Sequence, residues 1–269
     1  MRTRVIEATV RALMLAETRL PSWVMQRIEE AASLETNPVA SSHLKFMLEN
    51  VRLAKDRSLP ICQDTGLPIF HVQMGRDRVL DFSLHDAIAE GVRIATSTIP
   101  LRPNTVDPIT RKNSGDNTGQ GMPDIILDHV DGQGLKITAY PKGAGSENMS
   151  LVGMLNPADD PYDFILKTVS DRAANACPPL FLGIGIGGSF DLAARLAKRA
   201  LFNMPGSSPQ ELQLLERLNH LGIGPMGLGG DTTVLGLKIE TAFCHTASLP
   251  VAVNFQCWAN RSATEVIYD

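Results

Sequence analysis

The sequence lacks any long apolar run, although 43% of its 269 residues are hydrophobic. Its uninterrupted apolar stretches are far shorter than the roughly 20 residues that a membrane-spanning helix needs. Residues 1–11 mix charged and apolar side chains, whereas a secretory signal has a basic end followed by an apolar block. The sequence therefore predicts no membrane segment and no secretory signal, and we expect a cytoplasmic protein.

An excess of basic residues is also absent. The chain has 25 lysine and arginine residues against 29 aspartate and glutamate residues, which gives a formal net charge of -4 and a pI of about 5.9. Because nucleic-acid-binding domains carry a basic surface, this balance argues against DNA or RNA as a partner. The composition is typical of a globular protein, and we predict one domain over residues 1–269, built as a single core or as two packed lobes.

Cysteine is scarce, with four residues in the whole chain and no C-x-x-C pair. So few cysteines exclude a disulfide framework for a chain of this length. Cys62, Cys177 and Cys257 are separated by 115 and 80 residues, spacings that match neither zinc fingers nor ferredoxins. Spacing alone leaves open whether these residues are metal ligands or buried inert thiols, which is a common role of an unpaired cysteine.

Apolar residues at spacings of three and four predict helices, and short apolar or alternating runs predict strands. The predicted helices cover about 4–17, 23–34, a stretch from 38 onward, 83–97, 159–176, 189–200 and 209–221, and the predicted strands cover 67–72, 125–130, 135–140, 180–186, 233–243 and 251–258. Asp131-Gly132 predicts a hairpin between strands 125–130 and 135–140. The expected fold class is α/β with mixed α+β character, in which a helical N-terminal part precedes mixed β-sheets flanked by helices.

Residues 183–188 satisfy G-x-G-x-x-G, the pattern of a dinucleotide-binding loop, between a predicted strand and a predicted helix. A dinucleotide-binding unit also has an acidic residue at the end of the next strand, about 20 residues further on. Residues 202–210, which occupy that place, are polar and turn-like. A nucleotide-dependent oxidoreductase stays open as a rival interpretation, and saturable binding of NADH or FAD would favour it.

Two polar loops combine residue types that catalytic sites use. Pro60–Gly66 places a thiol, an amide, a carboxylate and a hydroxyl in four consecutive positions, and Lys142–Asn148 sets glycines beside charged and polar residues. Cys177 precedes two prolines, and Cys257 falls in the last predicted strand, where it is expected to share the face of the apolar residues. Three thiolates can hold a cubane iron–sulfur cluster and leave its fourth iron open, as Lewis-acid chemistry requires.

Several motifs follow one another along nearly the whole chain. They are PICQDTG at Pro60–Gly66, KGAGSEN at Lys142–Asn148, ACPP at Ala176–Pro179, GIGG at Gly185–Gly188, HTASLPV at His245–Val251 and QCW at Gln256–Trp258. Together they resemble the class I, iron–sulfur-dependent fumarate hydratase and L-tartrate dehydratase family. The similarity is to the alpha subunit of that family, or to the N-terminal domain of its single-chain members.

The resemblance implies a hydro-lyase that reversibly hydrates a four-carbon dicarboxylate, with fumarate to malate as the first expectation and L-tartrate dehydration as the second. It implies a 4Fe-4S cluster held on cluster-binding loops by Cys62, Cys177 and Cys257, with one iron open to substrate and with activity that oxygen destroys. Cys244 is expected to be structural. A non-catalytic protein that uses such a cluster for redox sensing is the rival of another class.

The resemblance also assigns substrate contacts. Gln63 and Asp64 are expected to bind the dicarboxylate, with Asp64 as a proton donor or acceptor. Arg102 is expected to pair with a substrate carboxylate, a task for which its planar guanidinium is suited. From the residues alone, the alternatives are that Asp64 is a turn or cap carboxylate and that Arg102 is a solvated loop arginine.

Three further residues receive roles from the resemblance. Gly143 and Gly145 are expected to bring backbone N–H groups to the substrate. His245, twelve residues before Cys257, is expected to act as an acid–base or orienting group. A lone histidine is otherwise more often a structural residue, and we expect the remaining five histidines to be of that kind.

The resemblance finally implies a partner. Single-chain members continue into a second domain with further substrate-binding residues, whereas this sequence stops at Asp269. We therefore expect a separate beta subunit and a hetero-oligomer such as a heterotetramer. Ala144 stands where the family commonly has glycine, and Cys244 stands where it often has arginine, so the choice of dicarboxylate is not implied.

Overall fold

The computed structural model describes residues 1–206 and 208–268. Its helices are α1 (Arg2–Thr18), α2 (Ser22–Leu34), α3 (Pro38–Arg57), α4 (Leu84–Thr98), α5 (Ala144–Glu147), α6 (Pro161–Arg172), α7 (Phe190–Phe202) and α8 (Pro209–Asn219), with short 3-10 helices at Ala173–Ala176 and Pro225–Gly227. Its strands are β1 (Ile69–Gly75), β2 (Asp124–Val130), β3 (Leu135–Ala139), β4 (Leu151–Leu155), β5 (Leu180–Gly187), β6 (Val234–Ala242), β7 (Leu249–Gln256) and β8 (Ala263–Ile267). The predicted fold class is confirmed. Among these residues, no helix has both the length and the apolar composition to cross a membrane.

The described residues divide into two compact units, each with its own sheet. Unit 1 comprises Met1–Pro21, Asn50–Ala144 and Arg261–Asp269, and unit 2 comprises Ser22–Glu49 and Gly145–Asn260. The sheet of unit 1 has the strand order β2-β1-β3-β8, and that of unit 2 has the order β4-β7-β5-β6. The assignment of residues 1–269 to one domain stays a prediction.

The core of unit 1 joins α1 and α4 to the first sheet. The apolar residues at spacings of three and four that predicted α1 form its buried face. The side chain of Ser83 caps α4 by accepting from the backbone N of Asp86 at 3.2 Å. The residues that meet in this core are Val5, Ala8, Ala12 and Leu13 of α1, Ile88, Val92 and Ala95 of α4, and Phe70, Leu135 and Ile137 of the strands.

The predicted hairpin between β2 and β3 is wrong. Both strands belong to one sheet, but β1 lies between them and pairs parallel with β2 and antiparallel with β3. The connection 131–134 passes over the end of β1, where the backbone N of Gly75 donates to the carbonyl oxygen of Gly134 at 2.8 Å. The Asp-Gly pattern indicates a turn but does not show whether another strand lies between the two strands that the turn connects. For this reason the pattern predicted a direct pairing of β2 with β3 that the structure does not have.

Strand β5 is an internal strand of unit 2, parallel to β6 and antiparallel to β7, with α7 packed against it. Two glycines of β5 allow α7 to pack closely against the strand, because they have no side chain at the contact. A Cβ atom on Gly183 would overlap the carbonyl oxygen of Ala197, and a Cβ atom on Gly185 would overlap that of Ala193. The packing of α7 on β5 therefore explains the first two glycines of the G-x-G-x-x-G pattern, and nucleotide binding is not needed to explain them.

We expect Gly183→Ala to lower the melting temperature by about 6–12 °C, because a backbone carbonyl cannot move aside easily and overpacking of this kind costs about 3 kcal/mol. The matched control is Gly134→Ala, since a Cβ atom at Gly134 meets nothing within 4 Å. That variant should melt within about 2 °C of the wild type in the same thermal scan. Equal melting temperatures for the two variants would contradict the packing explanation.

Of the two cysteines in unit 2 that are predicted ligands, Cys257 has surroundings that differ from the prediction, and Cys177 has surroundings that agree with it. Strand β7 ends at Gln256, so Cys257 lies one residue beyond the apolar face that Val251, Val253 and Phe255 bury, and it is partly exposed. The expectation that Cys257 shares that face is wrong, because the chain leaves the sheet there. The helical stretch 159–176 does end before Cys177, whose backbone is left-handed with φ 55° and ψ 64°.

Candidate active site

The residue before Cys62 anchors the loop that carries it. Ile61 is buried, its backbone N donates to the carbonyl oxygen of Glu17 at 2.9 Å, and its own carbonyl oxygen accepts from Asn50 Nδ2 at 2.9 Å. These partners come from the last turn of α1 and from α3. Cys62 is partly exposed and Gln63 is exposed, so the loop presents its reactive side chains to the surface from a fixed backbone.

Asp64 is held by backbone donors from two loops. Its Oδ1 accepts from the N of Gly66 at 2.9 Å, and its Oδ2 accepts from the N of Ala144 at 2.8 Å. Leu67 and Lys142 exchange two backbone hydrogen bonds of 3.0 Å between the same loops. The structure thus joins the Gln-Asp-Thr-Gly loop to the Lys-Gly-Ala-Gly loop, which lie 80 residues apart in the sequence.

Glycine is required where these two loops meet. Gly66 has a left-handed φ of +74°, and a Cβ atom there would lie 2.7 Å from the backbone N of Lys142. A Cβ atom on Gly143 would lie 3.2 Å from Asp64 Oδ2. Gly143 therefore lies against the Asp64 carboxylate, whereas Gly145 is exposed and belongs to unit 2.

Arg102 is fixed through its backbone by Asn117, a residue for which no role was predicted from the sequence. Asn117 is 3% exposed and left-handed, with φ 62°, and its Oδ1 accepts from the N of Asn104 at 2.6 Å. Its Nδ2 donates to the carbonyl oxygen of Arg102 at 2.9 Å, while Thr65 Oγ1 accepts from the N of Arg102 at 3.0 Å. The exposed side chain of Arg102 thus projects from a backbone tied to the Asp64 loop.

Cys177 and Cys257 are brought together within unit 2. The backbone N of Trp258, the residue after Cys257, donates to the carbonyl oxygen of Cys177 at 3.3 Å. Gln256 is fully buried, and its Nε2 donates to the carbonyl oxygen of Ala259 at 3.1 Å, which holds the turn around Cys257. The backbone segments of two of the three predicted ligands are therefore neighbours in space, although the two cysteines are 80 positions apart in the sequence.

His245 is not brought to this pair of cysteines. It lies in the loop before β7, whereas Cys257 follows the last residue of β7. At 3.2–3.4 Å per residue, the ends of this strand are about 23 Å apart. His245 is exposed, its Nδ1 accepts from the N of Ala247 at 3.1 Å, and Cys244 beside it is exposed as well. The catalytic role of His245 stays a prediction.

A buried ion pair in unit 1 was missed by the sequence reasoning. Arg261 Nη1 lies 2.7 Å from Glu17 Oε2, and both side chains are 1% exposed. Burial raises the pKa of Glu17 to about 7, although the charge and hydrogen bond of Arg261 act in the opposite direction. A signal was present, because Glu17 follows Leu13 by four residues and so falls on the apolar face of α1.

A family model described as Fumarate hydratase (Fumerase) matches residues 6–266. The chain belongs to the fumarate hydratase family. The resemblance drawn from the sequence motifs is confirmed, and so is the predicted enzyme class, a hydro-lyase. The rival interpretation as a nucleotide-dependent oxidoreductase gains no support from this match.

Two relatives extend the comparison over the length of the chain. A protein of Methanocaldococcus jannaschii, provisionally named L(+)-tartrate dehydratase subunit alpha, is 41% identical over 278 residues, covering 98% of this chain and 98% of that protein. The L(+)-tartrate dehydratase subunit alpha of Escherichia coli O157:H7 is 35% identical over 266 residues, covering 94% of this chain and 88% of that protein. This fumarate hydratase family member is thus similar to both along nearly its whole sequence.

The donor chemistry of this family member suits an iron–sulfur cluster. Among the described residues, no cysteine forms a disulfide bond, and Cys177 and Cys257 are free thiols on backbone segments that are hydrogen-bonded to each other; thiols are the donors that such clusters take. No group of three or more histidine, cysteine, aspartate or glutamate side chains at metal-binding separation occurs in residues 1–206 and 208–268. The predicted ligands are divided between the units, with Cys62 in unit 1 and the other two in unit 2.

Proposed function

We propose that this chain is the alpha subunit of an iron–sulfur hydro-lyase that adds water to, or removes water from, a four-carbon dicarboxylate. The observation that carries the proposal is the family match over residues 6–266. The names of the relatives support a beta subunit as partner, in a hetero-oligomer such as a heterotetramer. Without that partner, we expect the chain to be inactive or nearly so.

The proposed ligands of a 4Fe-4S cluster are Cys62, Cys177 and Cys257. The anchored loop around Cys62 and the hydrogen bond that ties Trp258 to Cys177 support this assignment, because both fix the backbone that carries the thiols. When bound, such a cluster supplies an iron with Lewis acidity toward the hydroxyl group that leaves. Cys244, exposed beside His245, is left outside the ligand set.

Asp64 is the proposed proton-transfer group. In the dehydration direction its carboxylate takes a proton from the carbon beside a substrate carboxylate, and in the hydration direction it returns that proton. The backbone N–H groups of Gly66 and Ala144 fix both carboxylate oxygens, which supports this role because a proton acceptor must be held in one orientation.

The neighbours of Asp64 are proposed to bind the substrate. The exposed amide of Gln63 can hydrogen-bond to a substrate oxygen, and the exposed guanidinium of Arg102 can pair with a carboxylate. Gly143 lies against Asp64 and leaves room beside it. Gly145 and His245 keep their roles as expectations from the resemblance only.

Fumarate hydration to malate is the first candidate reaction. L-tartrate dehydration is the second, and the names of the relatives at 41% and 35% identity favour it.

To test the proposal, the chain is co-purified with its beta-type partner in the absence of oxygen, and kcat/KM is compared for the two reactions. We expect at least one value of about 10⁴ M⁻¹s⁻¹ or more. An iron-loaded complex that turns over neither substrate would contradict the proposal.

A further inference from the structure

The Glu17–Arg261 ion pair has no part in the predicted site, yet it is tied to the loop of Cys62 and Asp64. The carbonyl oxygen of Glu17 accepts from the backbone N of Ile61 at 2.9 Å, directly before Cys62. Through its side chain the same residue binds Arg261 at 2.7 Å. Glu17 therefore connects the guanidinium to the backbone of the site loop.

The guanidinium of Arg261 also approaches Asp64 itself. A Cβ atom placed on Gly143 would lie 3.8 Å from Arg261 Nη2 and 3.2 Å from Asp64 Oδ2. The two charged groups thus flank the same glycine and lie at most about 7 Å apart. At this separation inside a protein, opposite charges attract appreciably, so Arg261 favours one position of the Asp64 carboxylate.

Glu17 is linked to the same loop by a shared cavity as well. It lines a cavity of about 10 Å³ together with Thr65, Gly66 and Asn117, the residues that follow Asp64 or fix Arg102. The Asp64 charge contributes to raising the pKa of Glu17 to about 7, after the larger effects of burial and of Arg261. Position and electrostatics therefore couple Glu17, Arg261 and Asp64 within unit 1.

The geometry points to Arg261, oriented by Glu17, as a positioning residue that holds the Asp64 carboxylate and the Gly143–Ala144 backbone in their reactive arrangement. This inference rests on the proposed function of Asp64 in proton transfer. The pair itself is buried and does not reach the substrate, so its effect acts through Asp64. A small displacement of a reacting group lowers the rate strongly, and a displacement of about 1 Å can reduce turnover about 100-fold.

The experiment uses the complex with the beta-type partner, purified without oxygen, and measures iron content, melting temperature, kcat and KM. Glu17→Gln and Arg261→Lys are expected to lower kcat about 10- to 100-fold while iron is retained and KM changes by less than about threefold, because the proposed substrate contacts of Gln63 and Arg102 remain. The wild-type complex is measured first, since its inactivity would count against the proposed function and not against the pair.

A matched control separates positioning from stability. Glu211 is a second buried carboxylate, 3% exposed, which accepts from the backbone N of Ser208 at 2.8 Å and of Ile239 at 2.9 Å and pairs with Lys238 at 3.2 Å. Glu211→Gln should lower the melting temperature and leave kcat unchanged. If Glu17→Gln behaves in the same way, with full iron and unchanged kcat, the pair is only structural and the inference is overturned.

The double variant Glu17→Gln/Arg261→Met decides the matter if the single variants do not fold. Replacing a buried ion pair by neutral groups of similar volume often preserves stability, because no unpaired charge is left behind. We expect its melting temperature to approach that of the wild type while kcat stays low. Recovery of kcat together with the melting temperature would overturn the positioning role.

Discussion

Serine in place of Cys62, Cys177 or Cys257 should reduce iron and sulfide in the anaerobic complex to background and abolish turnover. Each thiolate is a proposed ligand, and a hydroxyl is a poor donor to an iron–sulfur cluster, so the loss of one ligand destabilises the whole group. The measurement is iron and sulfide per complex, followed by turnover of fumarate and L-tartrate, for each variant beside the wild type.

The control for these variants is Cys244→Ser. Cys244 is an exposed thiol in the loop before β7, at the opposite end of that strand from Cys257. Its replacement should leave iron content and turnover within about twofold of the wild type. If the Cys244 variant loses the cluster while the Cys257 variant keeps it, the ligand assignment is wrong.

Asp64→Asn should lower kcat about 10²- to 10⁴-fold, the usual contribution of a general acid or base. Asparagine has nearly the same shape and keeps one oxygen for the backbone N–H of Gly66 or Ala144, but it cannot take up the proton. Iron and sulfide should be unchanged, because Asp64 is not a proposed ligand. The measurement is kcat for the better of the two substrates, with iron content determined on the same sample.

Asp107→Asn is the matched control, since Asp107 makes the same kind of turn in unit 1. Its Oδ1 accepts from the backbone N of Ile109 at 3.0 Å and of Thr110 at 2.6 Å. We expect kcat within about twofold of the wild type for this variant. A similar loss in both variants would mean that a turn carboxylate matters for loop structure, and Asp64 would then have no special role in proton transfer.

Much of the secondary structure could be predicted because its determinants are local. The helix that begins after Ser189 follows from a cap and an apolar stripe, and the side chain of Ser189 does accept from the N of Leu192. Two strands were missed: β4 (Leu151–Leu155) contains a glycine, and β8 (Ala263–Ile267) is a short edge strand. Such strands form because they pair with a strand that is distant in the sequence, and local sequence patterns do not indicate this pairing.

The residue types of the candidate site could be predicted from the sequence, but the hydrogen bonds that join its loops to distant parts of the chain could not. The loop around Asp64 was identified from its composition, but its hydrogen bond to Ala144 depends on a pairing 80 residues away. The position of Glu17 on the apolar face of α1 indicates burial, but its partner Arg261 is 244 residues away and no local pattern identifies it. The role of His245 came from the family resemblance alone, and in the structure the eight-residue strand β7 separates this residue from Cys257.

The iron–sulfur hydro-lyase account is tested most directly by measuring turnover as a function of iron content in the anaerobic complex with the beta-type partner. Iron is removed with a chelator under mild oxidation and restored with iron and sulfide, and fumarate hydration and L-tartrate dehydration are followed at each step. We predict that turnover falls with the iron, returns with it and is lost in air. Undiminished turnover by an iron-free complex, or indifference to oxygen, would contradict the account.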